Sequence, residues 1–232
     1  MAASLGARPI FVAGAHTDVG KTHVACALIR AWRAQGVSVD AFKPVVSGFD
    51  PDDWGDSDPG RLLTALGRPH TPEALAAISP WRYRAPLAPP MAARREGEAL
   101  ELAPIVEACR DRIVACEAAA LVVEGVGGLM SPIAERATGL DLMLALGAPT
   151  VLVGGSYLGA ISHLLTAAEV LASRGAPIAA VVVSESAIGD GPGLAETVDS
   201  VAELLASAPI FAASRGGDMG WAEAAVRRIA IT

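Results

Sequence analysis

Residues Gly14–Thr22 read Gly-Ala-His-Thr-Asp-Val-Gly-Lys-Thr, and they carry the first recognisable chemistry of the chain. An apolar run precedes them and a helix-length pattern begins at Lys21, the strand–turn–helix setting of a phosphate cradle. Free N–H groups at a helix start and the helix dipole both favour an anion there. Lys21 adds a cation for outer phosphates, and the Thr22 hydroxyl suits Mg²⁺. The spacing departs from the usual P-loop: Ala15 stands five residues before Gly20, where a glycine is expected, and Gly14 lies one step earlier. His16 reads as a solvated loop histidine. Asp18 is expected to point away from phosphate or toward a substrate ammonium, because like charges repel.

Two carboxylates and a second lysine accompany the cradle. Glu124 in LVVEGVGG ends a buried-strand pattern, and Asp58 lies in GDSDPGRLL. Ligands of open α/β sheets bind at the carboxyl ends of the strands, so a strand-end acid is placed to meet them. With Thr22 the two acids form an oxygen donor set of the kind Mg²⁺ takes, directly or through water. Lys43 in AFKPVVSG ends the second strand-like run and points to the same edge. Each has a plainer reading: a strand-end acid paired with an arginine, a solvated acidic loop, and a surface Lys-Pro turn.

The elements that would position these groups alternate. Strand-like runs fall at 9–13, 37–44, 119–125, 149–155 and 178–184. Helix-length patterns fall at about 21–35, 102–117, 139–146, 161–174 and 194–206. This rhythm predicts an α/β fold, a parallel β-sheet flanked by helices on both faces and P-loop NTPase-like. The interval 49–97 breaks the rhythm, being rich in Pro, Asp, Arg and Gly with short helical patches near 59–66 and 72–77. We read it as an active-site excursion within one domain spanning 1–232.

Composition narrows the class. The 232 residues are long enough to bury a core, and 52% are apolar but only 4% aromatic, so the interior is built from Ala, Val, Leu and Ile. A net charge of −7 without a Lys/Arg run argues against nucleic acid or an anionic membrane as partner. Cys26, Cys109 and Cys116 lack metal or disulfide spacing and read as reduced thiols. The N-terminal stretch through Gly14 lacks a leader pattern, and no apolar run approaches the ~20 residues that span a bilayer. A soluble, cytoplasmic protein is expected.

The segments GAHTDVGKT (14–22), FKPVVSG (42–48), VEGVGGLMSP (123–132) and LGAISHLLT (158–166) occur in the order found in the ATP-dependent dethiobiotin synthetases of biotin synthesis, which the chain resembles from Phe11 to Ser184. The resemblance implies a cyclo-ligase joining CO₂ to 7,8-diaminopelargonate with ATP and Mg²⁺, acting as a homodimer. It implies that Thr17, Lys21 and Lys43 are catalytic and, with Ser47, hold the carbamate and the phosphoryl group. Nucleotide contacts would come from Asp18, Val19, Gly20, Lys21, Thr22, His23, Asp58, Glu124, Gly125, Val126, Gly127 and Ser184, with Gly128 allowing close backbone approach. Mg²⁺ would be organised by Thr22, Asp58 and Glu124. Gly159, Ala160, Ile161 and Ser162 would bind the substrate carboxylate at a helix start across the dimer interface.

The chain departs from the family pattern at four places. Ser184 stands where the family commonly has an adenine-reading Asn, SAPIFAAS (207–214) replaces a Gly-Glu-Ile-Pro-like segment, APPMAA (88–93) replaces a stretch that commonly holds a His, and Ser162, which can still cap and hydrogen-bond, replaces a helix-start Asn of the carboxylate segment. Two rival readings each lack a feature they need. A cobyrinic-acid-type amide ligase needs a glutaminase domain that the length does not supply. A dimeric, partner-binding positioning ATPase carries a lysine where this chain has His16.

Overall fold

The computed structural model describes residues 6–187 and 191–229; residues 1–5, part of the stretch read for a leader, lie outside the described residues. Along the chain run β1 (Arg8–Gly14), α1 (Lys21–Ala34), β2 (Val39–Phe42), β3 (Val45–Ser47), α2 (Asp58–Leu66), α3 (Pro72–Ile78), β4 (Trp81–Tyr83) and α4 (Pro89–Arg95). There follow α5 (Leu102–Ala115), β5 (Ala120–Glu124), β6 (Pro132–Ala134), β7 (Ala137–Thr138), α6 (Gly139–Leu146) and β8 (Thr150–Gly154). The last elements are α7 (Ala160–Ser173), β9 (Ile178–Ser184), α8 (Leu194–Leu204), β10 (Ile210–Ala213) and α9 (Gly220–Arg228).

The main sheet has six strands in the order β10-β9-β8-β1-β5-β2, all paired in parallel. Strand β1 is central and its residues alternate between two cores. Phe11 and Ala13 pack with Leu121, Val123 and Leu152 toward one face, while Ile10 and Val12 pack with Trp32, Leu62 and Val151 toward the other. Burial on both faces is why β5 and β8 read as continuous apolar runs. The sequence pattern did not reveal β10, which has only four residues, nor α9 that follows it.

The 37–44 run is shorter in the structure than its pattern, because Pro44 removes a donor and the chain restarts as β3. β3 pairs in parallel with β4, which holds Ser47 opposite Tyr83. The helical patches read near 59–66 and 72–77 are α2 and α3, and the 49–97 interval also contains β4 and α4. Ser57 caps α2 by accepting from the Gly60 N–H at 3.4 Å, and Pro59 suits its first turn. Gly60 is required there: a Cβ would lie 2.3 Å from Gly55 O and 2.4 Å from Trp54 O.

The far end of α2 is tied to the sheet through a buried acid. Asp40 on β2 accepts from Arg112 at 2.6 Å and pairs with Arg68, just beyond α2, at 2.9 Å. Replacing Asp40 with Ala leaves the Arg112 head half-buried without its partner. The expected cost is about 2 kcal/mol of stability, read as a lower urea midpoint with an unchanged slope.

Candidate functional site

The loop between β1 and α1 is built to present donors. Asp18 has φ 57° and Gly20, the residue before α1, has φ 89°. The Gly20 conformation turns the chain into α1 without a side-chain cap. The first backbone bond of the helix is Val24 N–H to Gly20 O at 2.9 Å. The N–H groups of Gly20, Lys21, Thr22 and His23 therefore have no backbone partner among the described residues. Gly14, at the end of β1, lets the loop fold tightly, since a Cβ there would meet His16 O at 2.7 Å.

Beside this helix start lies a buried cluster of charge. Lys43 follows β2 and is 1% exposed. Its Nζ lies 2.9 Å from Asp58 Oδ2, at the start of α2, and 2.7 Å from Glu124 Oε1, at the end of β5. It also donates to Gly125 O at 3.3 Å. Burial opposes the lysine charge, yet the two carboxylates outweigh it and hold Lys43 above the ordinary lysine range. Burial also opposes ionisation of Asp58, but Lys43 and the Thr22 hydroxyl hold its pKa down at about 2. For Glu124, burial wins and pushes the carboxyl up. Burial, then the nearby Lys43 charge, lowers Lys21, so a bound polyanion would favour its charged form.

Thr22 Oγ1 lies 2.7 Å from Asp58 Oδ1 and 2.6 Å from Glu124 Oε1. A hydroxyl has one hydrogen and satisfies only one of these oxygens. Glu124 Oε2 is buried without any partner among the described residues. Three converging oxygens with an excess of acceptor capacity fit a hard divalent cation that keeps some of its waters. Among the described residues no group of three or more His, Cys, Asp and Glu side chains stands close enough to hold a metal ion by itself.

A cavity of about 490 Å³ opens over the helix start. Of the residues expected at a nucleotide, it brings together Asp18, Val19, Gly20, Lys21, Thr22, His23, Asp58 and Ser184. Glu124 and Gly125 join through Lys43 and Thr22 rather than by lining the cavity. Gly127 has φ 63°, and a Cβ on it would lie 3.6 Å from Thr17 Oγ1, which brings the 125–128 turn against the P-loop. Thr17, Ser47 and Val126 do not line the cavity.

Gly159–Ser162 form a second helix start. Gly159 has φ 93° and leads α7 without a side-chain cap. The Ala160 N–H is already bonded to Tyr157 O at 2.9 Å, whereas those of Ile161 and Ser162 have no partner among the described residues. His163 of this turn stacks on His16 of the P-loop with ring centroids 5.1 Å apart, and Tyr157 Oη lies 2.8 Å from His163 Nδ1. These contacts set the two helix starts side by side.

The cavity also holds residues the sequence reading missed: Arg61, Glu185, Ser186, Arg215 and Gly216. Arg61 sits one helical turn after Asp58, a spacing that could have drawn attention to it. The others follow β9 and β10, and without β10 in the pattern nothing placed Arg215 at the sheet edge.

A family described as an AAA domain matches residues 8–212. The ATP-dependent dethiobiotin synthetase BioD of Caulobacter vibrioides (strain NA1000 / CB15N) is 56% identical over 211 residues, covering 91% of this chain and 94% of that protein. The protein of the same name from Phenylobacterium zucineum is 56% identical over 220 residues, covering 95% and 94%. That from Methylobacterium nodulans is 49% identical over 216 residues, covering 90% and 93%. Among solved structures, the hydrogenase maturation factor HypB from Archaeoglobus fulgidus superposes with a TM-score of 0.55 at 13% identity, covering 96% of this chain and 88% of that one. The signal recognition particle receptor FtsY from Elizabethkingia anophelis gives 0.51 at 13% identity, covering 97% and 64%. These two likenesses concern the fold alone. Identity of this extent to the curated relatives, on a chain whose P-loop and strand-end acids converge, means that the chain belongs to the ATP-dependent dethiobiotin synthetase family.

Proposed function

We propose that this chain is a dethiobiotin synthetase acting in biotin biosynthesis: it carboxylates 7,8-diaminopelargonate with CO₂ and closes the ureido ring at the expense of ATP. The observation that carries this reading is the buried Lys43 ammonium beside the P-loop helix start. In the first step an amine attacks CO₂, forming a C–N bond and releasing a proton. A carbamate oxygen then attacks the γ-phosphorus and ADP leaves. Finally the second amine attacks the carbamate carbon, the C–O bond to phosphate breaks, and phosphate and a proton depart.

Each residue has a task suited to its surroundings. The N–H groups of Gly20–His23 and the Lys21 ammonium hold the phosphates, supported by Asp18, Val19 and the Gly125–Gly128 turn. Lys43, kept charged by its carboxylates, neutralises the carbamate oxygen and the transferring phosphoryl group where negative charge gathers. Thr17 and Ser47 orient the carbamate. Thr22, Asp58 and Glu124 supply the oxygens for Mg²⁺, which when bound neutralises phosphate charge. The 49–97 segment closes the substrate side of this single domain.

The tail carboxylate of the diamine is bound by the open N–H groups at the start of α7 in a homodimer. Leu158, 85% exposed beside that helix start, is the apolar side chain that a second copy would cover. No described helix is long and apolar enough to cross a membrane, and we place the enzyme in the cytoplasm.

Phosphate release with Mg²⁺, ATP and bicarbonate is expected to depend on added diamine. Lys43→Ala is expected to lower that rate by about 10²–10³-fold, the scale of losing one preorganised electrostatic contact. Release indifferent to diamine would count against the synthetase and toward a partner-binding ATPase. Leu158→Glu is expected to give a monomer in light scattering and to raise KM for the diamine. A wild-type monomer with full activity would remove the dimer from the proposal.

A further inference from the structure

The cavity that begins at the P-loop ends on three residues that no motif singled out: Glu185 and Ser186 after β9, and Arg215 after β10. A nucleotide whose phosphates sit at Gly20–Thr22 puts its base at that far end, so the role of these residues rests on the phosphate placement in the proposed function.

Adenine presents a donor, its N6 amino group, next to an acceptor, N7. A side-chain amide matches that pair bidentately, which is why Asn and Gln read adenine. This chain contains no asparagine, and its single glutamine is Gln35, at the C-terminal end of α1 and so a helix length away from the P-loop. No side-chain amide lines this cavity among the described residues. Ser184, buried at the end of β9, leans against the P-loop: a Cβ on Gly20 would lie 2.5 Å from its Oγ.

What the far end offers is a fork of donors. The Arg215 backbone N–H donates to Glu185 Oε2 at 2.6 Å, and its side-chain Nε donates to Glu185 O at 3.1 Å. The first bond holds the Arg215 backbone and the second holds its guanidinium, on an exposed side chain, against the β9 end. Arg215 makes no ion pair among the described residues. A guanidinium only donates, and the base edge it pairs with bidentately is the O6/N7 pair of guanine. The same loop carries the complementary acceptor. Glu185 Oε1 is not engaged by another residue among those described, and guanine, unlike adenine, offers N1–H and N2–H₂ as donors beside O6.

We infer that this cavity takes guanine nucleotides alongside ATP, and that Arg215, anchored on Glu185, is the residue that reads the base. Adenine is held by shape and by its phosphates, without a side-chain amide to select it.

The test measures diamine-dependent phosphate release with ATP and with GTP, for the wild type, Arg215→Ala and Arg215→Gln, together with calorimetric affinities for ADP and GDP. The expected wild-type kcat/KM for GTP lies within about tenfold of that for ATP. Both variants are expected to lower the GTP-to-ATP ratio by at least about tenfold through KM, with the GDP-to-ADP affinity ratio falling in parallel, because a good bidentate pair is worth a factor of this size. Arg215→Gln, which introduces the missing amide, is expected to lower the ratio further than Arg215→Ala. GTP trailing ATP by more than tenfold in the wild type, or ratios unmoved in both variants, overturns the inference. Turnover that ignores the diamine would strike the proposed function instead, and the diphosphate affinity ratio would still decide the role of Arg215.

Discussion

An ammonium ion out of contact with water has to be neutralised by groups the fold brings to it, and at Lys43 those groups come from two other parts of the chain. Lys43 follows β2, Asp58 opens α2 and Glu124 ends β5. Breaking a buried pair by removing one partner costs roughly 3–5 kcal/mol, because a bare charge is left inside. The sheet register and the placement of α2 are therefore coupled to the charge balance of the site. The Thr22 hydroxyl, facing both carboxylates, ties the same cluster to the P-loop helix.

Parallel topology is what makes that convergence possible. With β1 central, β5 on one side and β8 on the other, the carboxyl ends of all three strands open onto one edge. Both N-terminal helix starts, that of α1 after β1 and that of α7 after β8, leave from neighbouring strands. The stack of His16 on His163 is the side-chain expression of this adjacency. The opposite ends of the strands carry structural ties, of which Asp40 with its two arginines is the most heavily charged.

The groups proposed to hold phosphate could be read from the residues because they depend on backbone geometry, which restricts residue type. Gly20 must adopt φ 89°, a lysine must follow, and an apolar strand and helix must flank them. Glu124 was readable because an acid interrupting a buried apolar run has few other uses. Long-range position was harder to see. Asp58 lies in an acidic stretch whose other members are exposed, and only the fold distinguishes it by delivering Lys43 to it. In the 49–97 interval the patches of α2 and α3 were legible, whereas α4 was not, because it is short and starts at Pro89, and a proline signals a break as readily as a helix start. β10, at four residues with only its last one buried, falls below what alternation can reveal, and Arg215 was hidden with it.

The two ends of the cavity are thus under different constraints. At the phosphate end the ligand meets N–H groups of the main chain, and any residue that disturbs Gly20 or the start of α1 disturbs the fold as well. At the base end the ligand meets side chains on turns after β9 and β10, near the edge of the sheet, where exchanging one polar residue for another costs the core nothing. Binding specificity there is a difference between affinities for bases that share the same phosphates. Such a difference can change through Glu185 and Arg215 alone while Lys21, Lys43 and Glu124 keep their geometry. The chemistry of phosphoryl transfer and the identity of the base are for this reason separable properties of one cavity.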